Sequence, residues 1–209
     1  MAISTYAELK SSVLNDLLRA SDTDAGTRFD DWLAKFEAYA RRELSGANAG
    51  EIRASNAVIS NEYTSLPADL ISIRSATIVV NGVTRPLDAT SAERLDEDYS
   101  GSAGDPKAYA IVGSAIRLGP PPNGTYTVKL MYTQLAALTS SATTNWLLTA
   151  APDVYENGVL AYALDYYKSF EESDRRMARA NAGIAALVKQ AKTNLPAGAM
   201  SPRIQGYIV

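Results

Sequence analysis

Between Thr144 and Lys192 apolar residues recur at steps of three and four. Tyr155, Val159, Tyr162, Ala163, Tyr166 and Phe170 fall on one helical face, and Met177, Ala180, Ile184, Leu187, Val188 and Ala191 on another. The pattern predicts two amphipathic helices joined by a charged hinge near Glu171–Asp174. Pro152 suits a first helical turn, and Asp153 sits where the helix dipole favours an anion. Arg175, Arg179 and Lys189 lie opposite the second stripe. Neither helix can bury its stripe alone, so each needs partners.

The far N-terminus supplies them. Thr5-Tyr6-Ala7-Glu8 is a capping-box pattern, and Leu9, Val13, Leu14, Leu17 and Leu18 follow at helical spacing. A first helix is expected from Tyr6 to about Ala20, then a loop over Ser21–Gly26. A second is expected from Thr27 to Leu44, with Phe29, Trp32, Leu33, Phe36, Ala40 and Glu43 tracing its faces and Arg41-Arg42 in its last turn. From Glu51 to Leu138 the period shifts toward two. Strands are expected over Arg53–Ser60, before Pro67, over Ile71–Val80 and over Val83–Leu87, with Asn81-Gly82 as a hairpin turn. Ala89–Asp96 reads as a short helix or turn, and Lys107–Val112 with Ala115–Leu118 as a second hairpin. Tyr126, Val128, Leu130 and Tyr132 alternate with polar or exposed-type residues, as a half-buried strand does.

The expected fold is therefore α+β. An antiparallel bundle of about four helices is drawn from both chain ends, and an all-β domain of about six strands is inserted in it. The boundaries are 1–50 plus 144–195 for the bundle, 51–143 for the insertion and 196–209 for an extended, proline-broken C-terminal arm. The arm closes on Arg203-Ile204-Gln205-Gly206-Tyr207-Ile208-Val209, apolar and β-favouring. It reads either as an edge strand on its own β domain or as a strand added to a partner's sheet edge or groove.

Composition narrows the chemistry. The 209 residues contain no cysteine and no histidine. Disulfides, thiolate zinc sites, Ser-His-Asp triads and Cys-His pairs are excluded. The net charge of −3 argues against a chain built to grip phosphates. No apolar run approaches the roughly 20 residues of a membrane span, and Met1–Thr5 shows no signal-peptide pattern. Asp22 and Asp24 lack the rest of a calcium loop, so capping is the reading for them. Asp30-Asp31, Asp96-Glu97-Asp98 and Glu171-Glu172 are carboxylate groups of the kind glycosidases use, yet such runs usually solvate a surface. Tyr155, Tyr162, Tyr166 and Tyr167 on one helix suit packing or a subunit interface better than sugar stacking. No catalytic constellation, metal site or cofactor motif emerges.

Three stretches carry a resemblance. They are Leu66-Pro67-Ala68-Asp69-Leu70; Gly104–Ile111 with Ile116-Arg117-Leu118-Gly119-Pro120-Pro121-Pro122; and Tyr126–Tyr132 followed by Thr144–Leu148 and Pro152–Tyr155. In this order, with Phe29–Arg42 as second helix, the chain resembles the head-to-tail adaptor (connector, tail tubular) proteins of tailed bacteriophages. The resemblance implies a non-enzymatic virion protein, made in the bacterial cytoplasm and placed at the head–tail interface. It implies a ring, typically dodecameric, beneath the portal protein and above the tail or nozzle protein. DNA would pass through its lumen without specific binding, which suits the mild negative charge. The bundle would supply ring contacts, with Trp32, Arg41, Arg42, Tyr162 and Tyr166 as candidates, and the arm would dock on the portal through Arg203, Ile204, Tyr207, Ile208 and Val209. A carboxylate-based glycan hydrolase and a carbohydrate- or receptor-binding module are the competing functions.

Overall fold

The computed structural model describes residues 3–45, 49–101 and 103–193. The chain is mixed α+β, with six helices and two four-stranded sheets among those residues.

Helix α1 (Tyr6–Asp16) starts on the expected capping box. The Thr5 hydroxyl accepts from the Glu8 amide at 3.3 Å, and the Glu8 carboxylate accepts from the Thr5 amide at 3.1 Å. Ser4 adds two more donors, and these bonds hold the Glu8 carboxyl below the usual range. The helix stops well short of Ala20. Leu18 adopts φ 55°, its amide donates to the Asn15 carbonyl, and the Arg19 amide reaches back to the Leu14 carbonyl. This is a Schellman closure with leucine where glycine is usual. Leu18 is 92% exposed, so it does not belong to the stripe that its spacing predicts for it. Leu18→Gly should raise stability by about 0.5–1 kcal/mol, since the left-handed cost to an L-residue exceeds glycine's entropy penalty. Urea denaturation would read it, and a loss of stability would mean that the leucine packs.

Helix α2 (Thr23–Ser45) begins earlier than Thr27 because Asp22 caps it. The Asp22 carboxylate accepts from the Asp24 and Ala25 amides and binds Arg19 at 2.8 Å. The expected loop Ser21–Gly26 is thus partly helix.

Helices α4 (Trp146–Ala150), α5 (Pro152–Tyr166) and α6 (Phe170–Thr193) close the described chain. Asn145 caps α4 through its Oδ1 to the Leu148 amide. The expected one-sided stripe on α5 is replaced by burial on several faces: Val154, Tyr155, Gly158, Val159, Leu160, Ala161 and Ala163 are all buried. The reason is position, for α5 contacts α1, α2, α4 and α6 at once. Tyr166 and Phe170, expected on the buried face, are 44% and 57% exposed. The reversal between α5 and α6 also differs from expectation. It lies at Tyr167–Ser169, where Lys168 has φ 62° and repeats the Schellman pattern. Glu171–Asp174 already form the first turn of α6, where the dipole favours acids. Ser173 is buried there and donates to the Ala161 carbonyl at 2.8 Å, stitching α6 to α5.

Strands β1 (Glu51–Ile59), β3 (Leu70–Val80), β4 (Val83–Pro86) and β8 (Tyr126–Gln134) form one antiparallel sheet in the order β1-β8-β3-β4. The second sheet is β2 (Tyr63–Ser65), β7 (Ala115–Gly119), β6 (Ala108–Val112) and β5 (Asp88–Ala89), with only β5 and β6 parallel. Val128, Leu130 and Tyr132 of β8 and Ala76, Ile78 and Val80 of β3 meet Tyr109, Ile116 and Leu118 of the second sheet in one core. Asn81 and Gly82 have φ 51° and 78°, as the tight primed turn between β3 and β4 requires. Helix α3 (Ala92–Tyr99) starts later than the expected Ala89, on its Ser91 cap, and seats Leu95 beside Ala108 and Ala110 of β6. Leu9, Phe29, Trp32, Phe36, Tyr155, Val159, Ala180 and Ile184 belong to a separate core shared by the other helices.

Candidate assembly surfaces

Helix α2 carries the polar network that ties the helical core to the strands. Phe29, Leu33, Phe36, Ala40 and Leu44 make its buried stripe, and Glu37 sits on that same stripe at 6% exposure. Its carboxylate accepts from the Leu138 amide and from the Tyr155 hydroxyl, both at 2.8 Å. Asn145 donates to the Tyr155 hydroxyl at 2.6 Å and to the Ala136 carbonyl at 2.8 Å. One turn on, Arg41 donates to the Leu135 carbonyl at 2.8 Å and to the Ala68 carbonyl at 3.3 Å. The backbone leaving β8, residues 135–138, is therefore held at three carbonyl or amide groups by side chains of α2 and of the residue that caps α4. Burial raises the Glu37 carboxyl above its usual range, against the lowering effect of its two donors and of Arg41. Burial and the neighbouring Glu37 push the Tyr155 hydroxyl upward. Every named partner is internal, so the network braces the fold.

The candidate interface residues divide into two groups. Trp32 is 2% exposed and packs its ring 5.9 Å from Tyr166 and 6.0 Å from Tyr167. Trp32 therefore presents little surface to a neighbour, while Arg41, half-buried, spends its guanidinium on the Leu135 and Ala68 carbonyls within the subunit. Arg42, Tyr162 and Tyr166 do reach the surface. The Arg42 guanidinium lies 5.9 Å from the Tyr39 ring, Tyr162 is half-buried, and Arg28 stacks 4.6 Å over the Tyr166 ring. At the same tip Arg19 lies 4.1 Å over Tyr167, next to exposed Leu18, and Phe170 opens α6. The arm residues Arg203, Ile204, Tyr207, Ile208 and Val209 lie outside the described residues.

Each acidic run has members with local partners. Asp30 accepts from the Tyr6 hydroxyl at 2.5 Å, Glu171 pairs with Arg175 and Glu172 with Arg176. Asp98 pairs with Arg94 at 3.8 Å. Exposed pairs of this kind contribute at most about 1 kcal/mol. Arg117 is different, with its side chain only 15% exposed. It binds Glu62 at 2.6 Å, Asp96 and the Ala92 carbonyl, so it fastens α3 across β7 and holds the Asp96 carboxyl below its usual range. Among the described residues no three acids gather as a metal-binding group, and no helix is long and apolar enough to cross a membrane.

The roles of Glu37, Asn145 and Arg117 are not predicted by the sequence patterns. Only Glu37 leaves a signal there, a charge in register with Leu33, Phe36 and Ala40. The family model described as SU10 adaptor protein matches residues 4–204. No curated protein matches the chain.

Proposed function

The chain belongs to the SU10 adaptor protein family, a family of phage head–tail adaptors, and from that premise we propose that it works as a ring-forming structural piece of the virion. The family match across residues 4–204 carries this reading. In it, a bundle of residues 1–50 and 144–195 bears a β insertion of residues 51–143, and copies of the subunit, twelve in the expected ring, surround the DNA path between portal and tail protein. Arg42, Tyr162 and Tyr166 contribute to contacts between copies, while Trp32 and Arg41 stiffen the surface from beneath. Residues 196–209 latch the ring to the portal.

The internal bracing supports a mechanical role. A collar through which DNA passes must keep the angle between its parts, and the Glu37–Tyr155–Asn145 network with Arg41 fixes that angle at β8's exit. The hydrolase alternative needs two acids facing each other across a cleft. Glu171, Glu172, Asp96 and Asp98 are instead engaged by arginines.

The deciding experiment is sedimentation of the chain alone and with purified portal protein, before and after removal of residues 196–209. The shortened chain is expected to keep its fold and melting behaviour and to lose portal binding. Undiminished binding would overturn the latch. A full-length chain that associates with neither itself nor a portal would overturn the ring.

A further inference from the structure

Charge is distributed unevenly along this chain. From Arg175 to Thr193, α6 carries Arg175, Arg176, Arg179, Lys189 and Lys192 and no acid. Arg175 and Arg176 are paired to Glu171, Glu172 and Asp16. Arg179, Lys189 and Lys192 are exposed and make no ion pair among the described residues. Between them on the outward side lie Ala182, Ala185 and Ala186, all exposed. The outward face of α6 is thus cationic at its flanks and small at its centre. Alanine there lets another backbone approach closely, and it offers no donor to a phosphate chain in the middle turns.

The opposite charge sits on the other core. Asp88–Asp105 contains six acids, Asp88, Glu93, Asp96, Glu97, Asp98 and Asp105, against one base, Arg94. Glu93 and Glu97 are one turn apart on α3, exposed, and without an ion partner among the described residues. Helix α3 packs on β6 and β7, whereas α6 packs on α5 and α2. The two faces therefore belong to different parts of the subunit.

We infer that the outward face of α6 docks on α3 of a second copy of this chain, with Arg179 and Lys189 reaching Glu93 and Glu97 around a close alanine contact. The inference rests on the ring reading above and supplies one of its interfaces. Two different faces meeting make a head-to-tail contact, the kind that closes into a ring. Opposed charge also sets the register and repels a face meeting its own kind.

The test is charge reversal followed by sedimentation at about 0.05 and about 0.5 M salt. Arg179→Glu with Lys189→Glu in one variant, and Glu93→Lys with Glu97→Lys in another, should each weaken self-association about a hundredfold without changing the melting curve. All four substitutions in one chain should restore association, because both faces have swapped sign. The wild type should weaken as salt rises. If either two-site variant assembles like the wild type, the α6–α3 contact is overturned while the ring reading stands. A wild type that stays monomeric at low salt, and remains so with portal protein, overturns both. Duplex-DNA binding lost with Arg179→Glu and Lys189→Glu while assembly persists would assign the face to nucleic acid and overturn the contact between copies.

Discussion

Replacing Glu37 by alanine is expected to cost about 3 kcal/mol of stability at neutral pH, because two buried donors lose their acceptor. The Leu138 amide and the Tyr155 hydroxyl both point at that carboxylate, and Tyr155 is fully buried. Glutamine keeps an acceptor oxygen in place and removes the charge, so Glu37→Gln should stay within about 1 kcal/mol of the native chain. The pH dependence separates the two effects. Burial raises the folded-state Glu37 pKa above its unfolded value. The folded chain then holds the proton more tightly than the unfolded one, so stability falls as pH rises through the window between those two values. The contribution is complete below the ordinary carboxylate pKa of about 4.3 and is lost above the raised value. Because Glu8, Asp22 and Asp96 are held low and contribute the opposite slope to both chains, the fall should appear in urea denaturation from acid to neutral pH as the difference between the native chain and Glu37→Gln. A native slope that persists unchanged in the glutamine variant would assign it to another group.

The same residue shows where the sequence can be read and where it cannot. Periodicity locates α2, α5 and α6 because each has enough turns for its stripe to repeat, and the Asn81-Gly82 turn announces its hairpin. Strand β5, two residues long, is too short to leave a period, and β2, three residues long, is legible only through the proline that follows it at Pro67. The helix ends differ from expectation for a physical reason. Leu18 and Lys168 close their helices in the left-handed region, where glycine is the usual signal. The face of α5 differs because periodicity reports one apolar side, and a helix contacted by four others has no single polar side. Residue type points Trp32 toward an interface, and only packing against Tyr166 and Tyr167 reveals its place. The phage adaptor family is recognisable from ordered motifs, and the family match agrees with it. The polar network is not, since Glu37, Asn145 and Tyr155 span more than a hundred positions and meet only after both ends of the chain pack together.

That packing depends on a second residue with a large expected effect. Gly158 is buried on α5, and a Cβ added there would overlap the Phe36 ring of α2. Alanine in a helix normally gains about 1 kcal/mol over glycine, yet Gly158→Ala should lose about 2 kcal/mol net, overpacking costing about 3. Phe36 has little room to yield. It is fully buried, and its ring meets that of Tyr155 edge-on at 5.5 Å. Moving it would displace Tyr155 and the adjacent Glu37, so the strain reaches the network that holds residues 135–138. Gly26 is the internal control. It lies in α2, and a Cβ added there would meet nothing within 4 Å, so Gly26→Ala should gain about 0.5–1 kcal/mol. Opposite shifts of the two urea midpoints would establish that close approach of α5 to α2, and not helix propensity, decides the residue at position 158. Shifts of the same sign would mean that the two helices can separate at little cost, and the brace between the cores would then have to lie elsewhere.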